Sequence, residues 1–233
     1  MTQQIIIADD HPLFRAAVAQ AVRQAVGAVD LVEADSIDTL QRALDNDSDV
    51  DLILLDLNMP GAHGFSGLAF LRGQYPAIPV VIVSGTEDVP VMRRAMVSGA
   101  AGFIPKSSSL ETITEAIRKV LGGDLFWPPG VETCLDTPPV SAAESRLGTL
   151  TPQQFRVLGM LSEGLLNKQI AYELKVSEAT VKAHMTALFK KLGVRSRTQA
   201  VIAVKEMEQA SGMAVSPLPP GEGQDEECYD GAD

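Results

Sequence analysis

Through the first 125 residues, short apolar runs alternate with longer stretches in which apolar residues recur every three or four positions. The runs "QIIIA" (4–8), "VDLVEA" (29–34), "DLILL" (51–55), "IPVVIVS" (78–84) and "AGFIP" (101–105) predict strands. The stretches near 12–27, 37–46, 64–74, 88–98 and 109–122 predict helices, the last capped by Ser108 with Glu111 three residues on. Continuously apolar strands separated by helices imply a five-stranded parallel sheet covered on both faces, a doubly wound α/β layer. From residue 149 to 208 the pattern is helical only. Thr151, Pro152 and Gln154 start one helix through Ser162 or Glu163; "LNKQIAYELKV" gives a short second one. The third, Glu178 to Leu192, is capped by Ser177 and closed by Gly193, and a fourth runs through "RTQAVIAVKEME". Two short helices about a tight turn, the second basic on one face, form a helix-turn-helix, so this part is a small all-α four-helix domain.

Punctuation sets the boundaries. Residues 126–148, within a stretch rich in proline and small residues, read as a linker with a short helical piece near 141–147. The last segment, 211–233, is proline- and acid-rich with little to bury, and its composition predicts disorder. The division is therefore 1–125, a linker at 126–148, 149–210, and a tail at 211–233.

Charge changes the picture only when divided the same way. The chain carries a net −11, which argues against a nucleic-acid partner. Yet residues 148–210 hold 9 basic and 5 acidic side chains, whereas residues 1–128 hold 9 and 16 and the tail holds 0 and 6. One basic block lies between acidic ones, and it alone suits a phosphate backbone. The two cysteines, Cys134 and Cys228, stand far apart without clustered histidines, which argues against a disulfide framework or a zinc site and fits a reducing compartment. No basic leader precedes the first apolar run and no run is long enough to span a bilayer, so a cytoplasmic protein without a membrane partner is expected.

Ligands of such sheets sit beyond the carboxyl ends of the strands, at the point where strand order reverses. Asp9 and Asp10 follow the first strand, Asp56 the third, Ser84 the fourth and Lys106 the fifth. Three carboxylates in one pocket favour a hard cation, Mg²⁺ above all, and an aspartate beside it is a nucleophile towards phosphorus. Ser84 and Lys106 suit the phosphoryl oxygens. His11 reads as an ordinary loop residue, and Phe103, taken by itself, as core.

The motifs "ADDHP", "LILLDLNMPG", "VIVSG" and "GFIPKS", in that order, resemble the receiver domain of two-component response regulators, a flavodoxin-like fold. By that resemblance Asp56 is the phosphoacceptor, Asp9, Asp10 and the Asn58 backbone carbonyl are further Mg²⁺ ligands, and Ser84, Phe103 and Lys106 form the switch. A haloacid-dehalogenase-like phosphatase would need an aspartate two residues after the nucleophile, where this chain has Asn58. The wording "LTPQQFRVL…GLLNKQIAYELKVSEATVKAHMTALFKKLGVRSRTQAV" resembles the LuxR-type helix-turn-helix. It implies base contacts from Lys182, Ala183 and Thr186, phosphate contacts from Thr180, Lys168, Lys190 and Lys191, and a dimer contact at Ala200, Val201 and Val204. The chain departs from that family's charged Arg-Glu pattern after the helix-starting proline with Gln153, Gln154 and Phe155. The function implied is a regulator of the NarL/FixJ type, not an enzyme beyond gaining and losing a phosphoryl group at Asp56. Its partners are a sensor histidine kinase, double-stranded DNA with two half-sites, and a second copy on activation. The alternative is a DNA-binding regulator whose receiver docks or dimerises without phosphate.

Overall fold

The computed structural model describes residues 2–46, 49–131 and 146–209. Five strands, β1 (Gln3–Ala8), β2 (Val29–Ala34), β3 (Leu52–Asp56), β6 (Val80–Ser84) and β7 (Gly102–Pro105), form an all-parallel sheet in the order β2-β1-β3-β6-β7. Strand side chains alternate between two helical layers, as the pleat requires. Ile5, Ile7, Leu52, Leu54, Val81, Val83 and Ile104 pack with α1 (Pro12–Val26) and α5 (Leu110–Leu121). Ile6, Ile53, Leu55, Val80, Ile82 and Phe103 face the other way, towards α2 (Ile37–Asn46), α3 (Ser66–Gln74) and α4 (Val89–Val97).

Two local features depart from the expected pattern. A two-residue hairpin, β4 (Asn58–Met59) with β5 (Ala62–His63), follows Asp56 and turns at Pro60-Gly61. Gly61 has φ +84°, the left-handed value that the third position of a proline-led turn demands. The cap of α5 is Ser109, whose hydroxyl accepts from the Thr112 amide, and not Ser108. Ser108 instead closes a turn onto the Pro105 carbonyl.

The C-terminal helices are α6 (Pro152–Ser162), α7 (Asn167–Glu173), α8 (Glu178–Leu192) and α9 (Arg197–Gln209). Thr151 and Gln154 make the reciprocal capping box at the start of α6. Ser177 caps α8, and Gly193 ends it in the left-handed conformation, φ +71°. A local core of Val157, Leu161, Ile170, Ala171 and Val181 holds α6, α7 and α8 together. Phe126, at the expected linker start, bridges to Gly102 and lies along β7. The rest of the expected linker helix, both cysteines and the tail lie outside the described residues.

Candidate functional site

The sheet register builds the first site. Pairing of Ala8 with Leu55 brings the next residues, Asp9 and Asp56, side by side where strand order reverses between β1 and β3. Pairing of Ser84 with Pro105 brings Ser84 and Lys106 to the same end, and the Lys106 amide donates to the Ser84 carbonyl at 2.7 Å. Asp9 and Asp56 are buried at 2% and 4% exposure, while the Asp10 side chain stays 35% exposed. The Lys106 ammonium lies 2.6 Å from Asp9 Oδ2 and 2.9 Å from Asp56 Oδ2. The Asn58 amide donates to Asp56 Oδ1 at 3.3 Å, and the Thr86 amide to the buried Ser84 hydroxyl at 3.2 Å.

Burial pushes the Asp56 carboxyl above its ordinary pKa; the hydrogen bond and charge of Lys106 oppose this, and the Asp9 charge reinforces it. For Lys106, burial disfavours the ammonium, but its bonds to Asp9 and Asp56 outweigh that and hold its pKa above the usual lysine value. The site is thus a charged cluster lacking positive charge: three carboxylates face one ammonium.

Sequence reasoning missed two neighbours. His11 Nδ1 stands 2.7 Å from Asp10 Oδ1, 3.1 Å from Asp9 Oδ1 and 3.4 Å from Lys106 Nζ, so it belongs to the pocket rather than to an ordinary loop. Its place directly after Asp9-Asp10 was the available signal; the contribution of Asp56, 45 positions on, was hidden by chain distance. Phe14 carries Lys106 over its ring at 4.9 Å from the centroid. One ligand atom from each of Asp9, Asp10, His11 and Asp56 lies within 4.8 Å of the others. That oxygen-rich set fits a hard divalent cation. Phe103 is fully buried in the α2–α4 layer, and its amide donates to the Phe126 carbonyl at 2.9 Å.

On the C-terminal domain, Lys182, Ala183 and Thr186 are exposed on α8, one turn apart. The Thr186 hydroxyl donates to the Lys182 carbonyl at 2.9 Å. Lys168 and Lys190 are exposed, and Thr180 sits at the helix start beside the Ser177 hydroxyl, 2.9 Å away. Lys191, partly exposed, donates to the Thr149 carbonyl at 2.7 Å and braces the start of the domain. Of the three residues expected at a dimer contact, Ala200 and Val204 are buried at 0% and 4% in the chain's own core and Val201 is partly open.

Residues 5–118 match the response regulator receiver domain and residues 148–204 the LuxR family of bacterial regulatory proteins. The chain is 41% identical over 212 residues to the glycerol metabolism activator of Pseudomonas putida, covering 88% of this chain and 96% of that protein. It is 37% identical over 201 residues to the nitrate/nitrite response regulator protein NarP of Escherichia coli, covering 85% and 93%. In fold it is similar to RcsB of Salmonella enterica serovar Typhimurium, solved bound to a promoter in the presence of a phosphomimetic, at 22% identity and TM-score 0.51, covering 88% of this chain and 98% of that one. A receiver pocket and a helix-turn-helix in one chain, matched along nearly their whole length by such relatives, leave one conclusion: the chain belongs to the response regulators that join a receiver domain to a LuxR-type DNA-binding domain.

Proposed function

We propose that this chain is a transcription regulator controlled by phosphoryl transfer to Asp56 from a sensor histidine kinase or a small phosphodonor. The observation that carries the reading is the convergence of Asp9, Asp10, Asp56, Ser84 and Lys106 at one end of the sheet. A carboxylate oxygen of Asp56 attacks phosphorus, forming an O–P bond as the donor's bond to phosphorus breaks. Asp9, Asp10, Asp56 and the Asn58 carbonyl would hold Mg²⁺, which supplies charge neutralisation to the phosphoryl oxygens when bound. Lys106 already bonds Asp56 and stays with the acyl phosphate; the Ser84 hydroxyl turns from Thr86 to a phosphoryl oxygen. Loading and unloading Asp56 is the whole of its chemistry; the output is DNA binding in the cytoplasm.

On α8, Lys182, Ala183 and Thr186 read base edges, while Lys168, Thr180 and Lys190 meet phosphates. Two copies bound to two half-sites add affinity through effective concentration. The test has two arms. Incubation with a phosphodonor and Mg²⁺ should add one phosphoryl group that hydroxylamine removes, and Asp56→Asn should abolish it; an unmodified wild type refutes the reading. Lys182→Ala should weaken binding to the preferred DNA site about tenfold or more, the scale of a lost base contact; unchanged binding would move the recognition surface elsewhere.

A further inference from the structure

The helical domain lies against the receiver along α2, the β4–β5 turn and α3. Phe70 on α3 stacks on Phe155 of α6, ring centroids 4.4 Å apart. A Cβ on Gly159 of α6 would stand 2.5 Å from the Gly61 carbonyl oxygen, and one on Gly73 of α3 would overlap the Gly148 backbone, so the domains meet backbone to backbone. Beside this seam they part, leaving a cleft of about 240 Å³ walled by α2 and the turn on one side and by α6 and α7 on the other. Sites for drug-sized molecules run to roughly 300–1,000 Å³, so an occupant here has the size of an amino acid.

The cleft carries both signs of charge. Asp38 is shared by two guanidiniums, that of Arg42 one turn along α2 and that of Arg156 on α6. One carboxylate does not neutralise both, and the buried Arg156 Nε has no hydrogen-bond partner. Ser36 and Ile37, in the same wall, belong to the amino-terminal end of α2, the end at which a helix favours an anion. Glu163 and Glu173, both exposed, supply the opposite sign. Glu163 caps the carboxyl end of α6 and Glu173 is the last residue of α7, the ends at which a helix favours a cation. Among the described residues neither glutamate forms an ion pair with Arg42 or Arg156, although all four border one cleft. Arg156, Met160 and Glu163 follow one another on a single face of α6 at spacings of four and three residues, over about 10 Å of helix. A cation, an apolar side chain and an acid are thus laid out in line, and the receiver adds Ile37 and Pro60 to the apolar part.

We propose that this cleft binds a small extended zwitterion of the amino-acid type. Its carboxylate meets Arg42 and Arg156, its ammonium meets Glu163 and Glu173, and its aliphatic chain lies along Ile37, Pro60 and Met160. A simple anion would also face the glutamates, and a simple cation the arginines; a molecule with both charges, one at each end, gains from both. The site is built from two domains of one chain and does not depend on the chemistry of Asp56.

Titration of the full chain at low ionic strength with ε-aminocaproate, caproate and hexylamine reads the two ends separately. ε-Aminocaproate should saturate one site with a dissociation constant of about 1 mM and bind about threefold or more tighter than either single-charge analogue, the scale of an exposed charge pair. In the double variant Glu163→Gln, Glu173→Gln, its affinity should fall to that of caproate while caproate loses nothing. Arg42→Gln should weaken ε-aminocaproate and caproate alike and spare hexylamine. Unchanged thermal unfolding midpoints of these surface variants keep the comparison clean, and amide resonance shifts on binding should gather at residues 36–42, 60–61, 156–163 and 173. No saturation by ε-aminocaproate at about ten times the expected constant overturns the site. Equal affinity for the three ligands, or double-variant binding like the wild type, overturns the charge assignment, and shifts gathered elsewhere overturn the place.

Discussion

The stacked pair Phe70 and Phe155 gives the most direct energetic measure of contact between the domains. Phe70 is 0% and Phe155 2% exposed, so each ring is fully desolvated. Replacing either by leucine keeps most of the apolar volume and costs under about 1.5 kcal/mol by itself. What the single changes share is the ring-on-ring term, and a stacked pair contributes about 0.5–1.5 kcal/mol beyond its buried area. A cycle of Phe70→Leu, Phe155→Leu and the double variant, followed by urea unfolding of the full chain, should therefore return a coupling near 1 kcal/mol. The residues lie on separate domains, so the coupling exists only while the domains are docked. Additivity to within about 0.3 kcal/mol, the level expected of independent sites, would refute the stacked junction.

Other outcomes follow from the pocket and the helix caps. Mg²⁺ should raise Tm in proportion to the logarithm of its concentration, and Asp9→Asn should remove that dependence; a Tm indifferent to Mg²⁺ in the wild type counts against the ligand set. Burial raises the Asp56 pKa, so the folded chain binds that proton more tightly than the unfolded one. The stability this gives is fully present below the ordinary value of 3.8 and is lost as pH rises through the raised folded value. Asp56→Asn should accordingly raise Tm at pH 7, with the gain gone below pH 3.8, and a lowered Tm at pH 7 would contradict burial as the dominant cause. Gly193→Ala should cost about 1 kcal/mol at the left-handed end of α8, read by thermal unfolding; no loss would mean that the cap relaxes freely.

The parallel sheet was legible because each strand is a short apolar run on its own and the helices between them keep a different period. Asp56 was legible with it, since a lone acid at the end of "DLILL" is an oddity that only the third-strand position explains. The cap of α5 slipped by one residue because "KSSSLETI" offers three consecutive serines, and only the hydroxyl-to-Thr112 geometry selects Ser109. The β4–β5 hairpin escaped notice because two-residue strands show no alternation, although "PG" marks its turn. His11 was passed over because a ligand set is a matter of space, and one of its members arrives from a distant strand. The buried face of α9 was legible as apolar, but periodicity says that a face is covered and never by what. A second copy and the chain's own receiver are indistinguishable to that signal; in the single chain Ala200 and Val204 are covered by its own core.

The same limit explains why the junction is the more informative part of the molecule. The pocket around Asp56 lies within the match to the receiver family, and it does not say which contacts join the two domains. The interdomain contacts are specific placements: Phe155 stacked on Phe70, the ion pair of Asp38 with Arg156, and glycines where the backbones come closest. Their placement is physically economical. A perturbation at Asp56 has only the residues Leu57 to Pro60 to cross before it meets Gly61, and the Pro60 carbonyl already ties that turn to the helix bearing Asp38. The turn that follows Asp56 lies directly against α6 of the helical domain. Packed glycines leave such a backbone seam little room, so a side chain placed at Gly159 or Gly73 should force the two backbones apart rather than be absorbed.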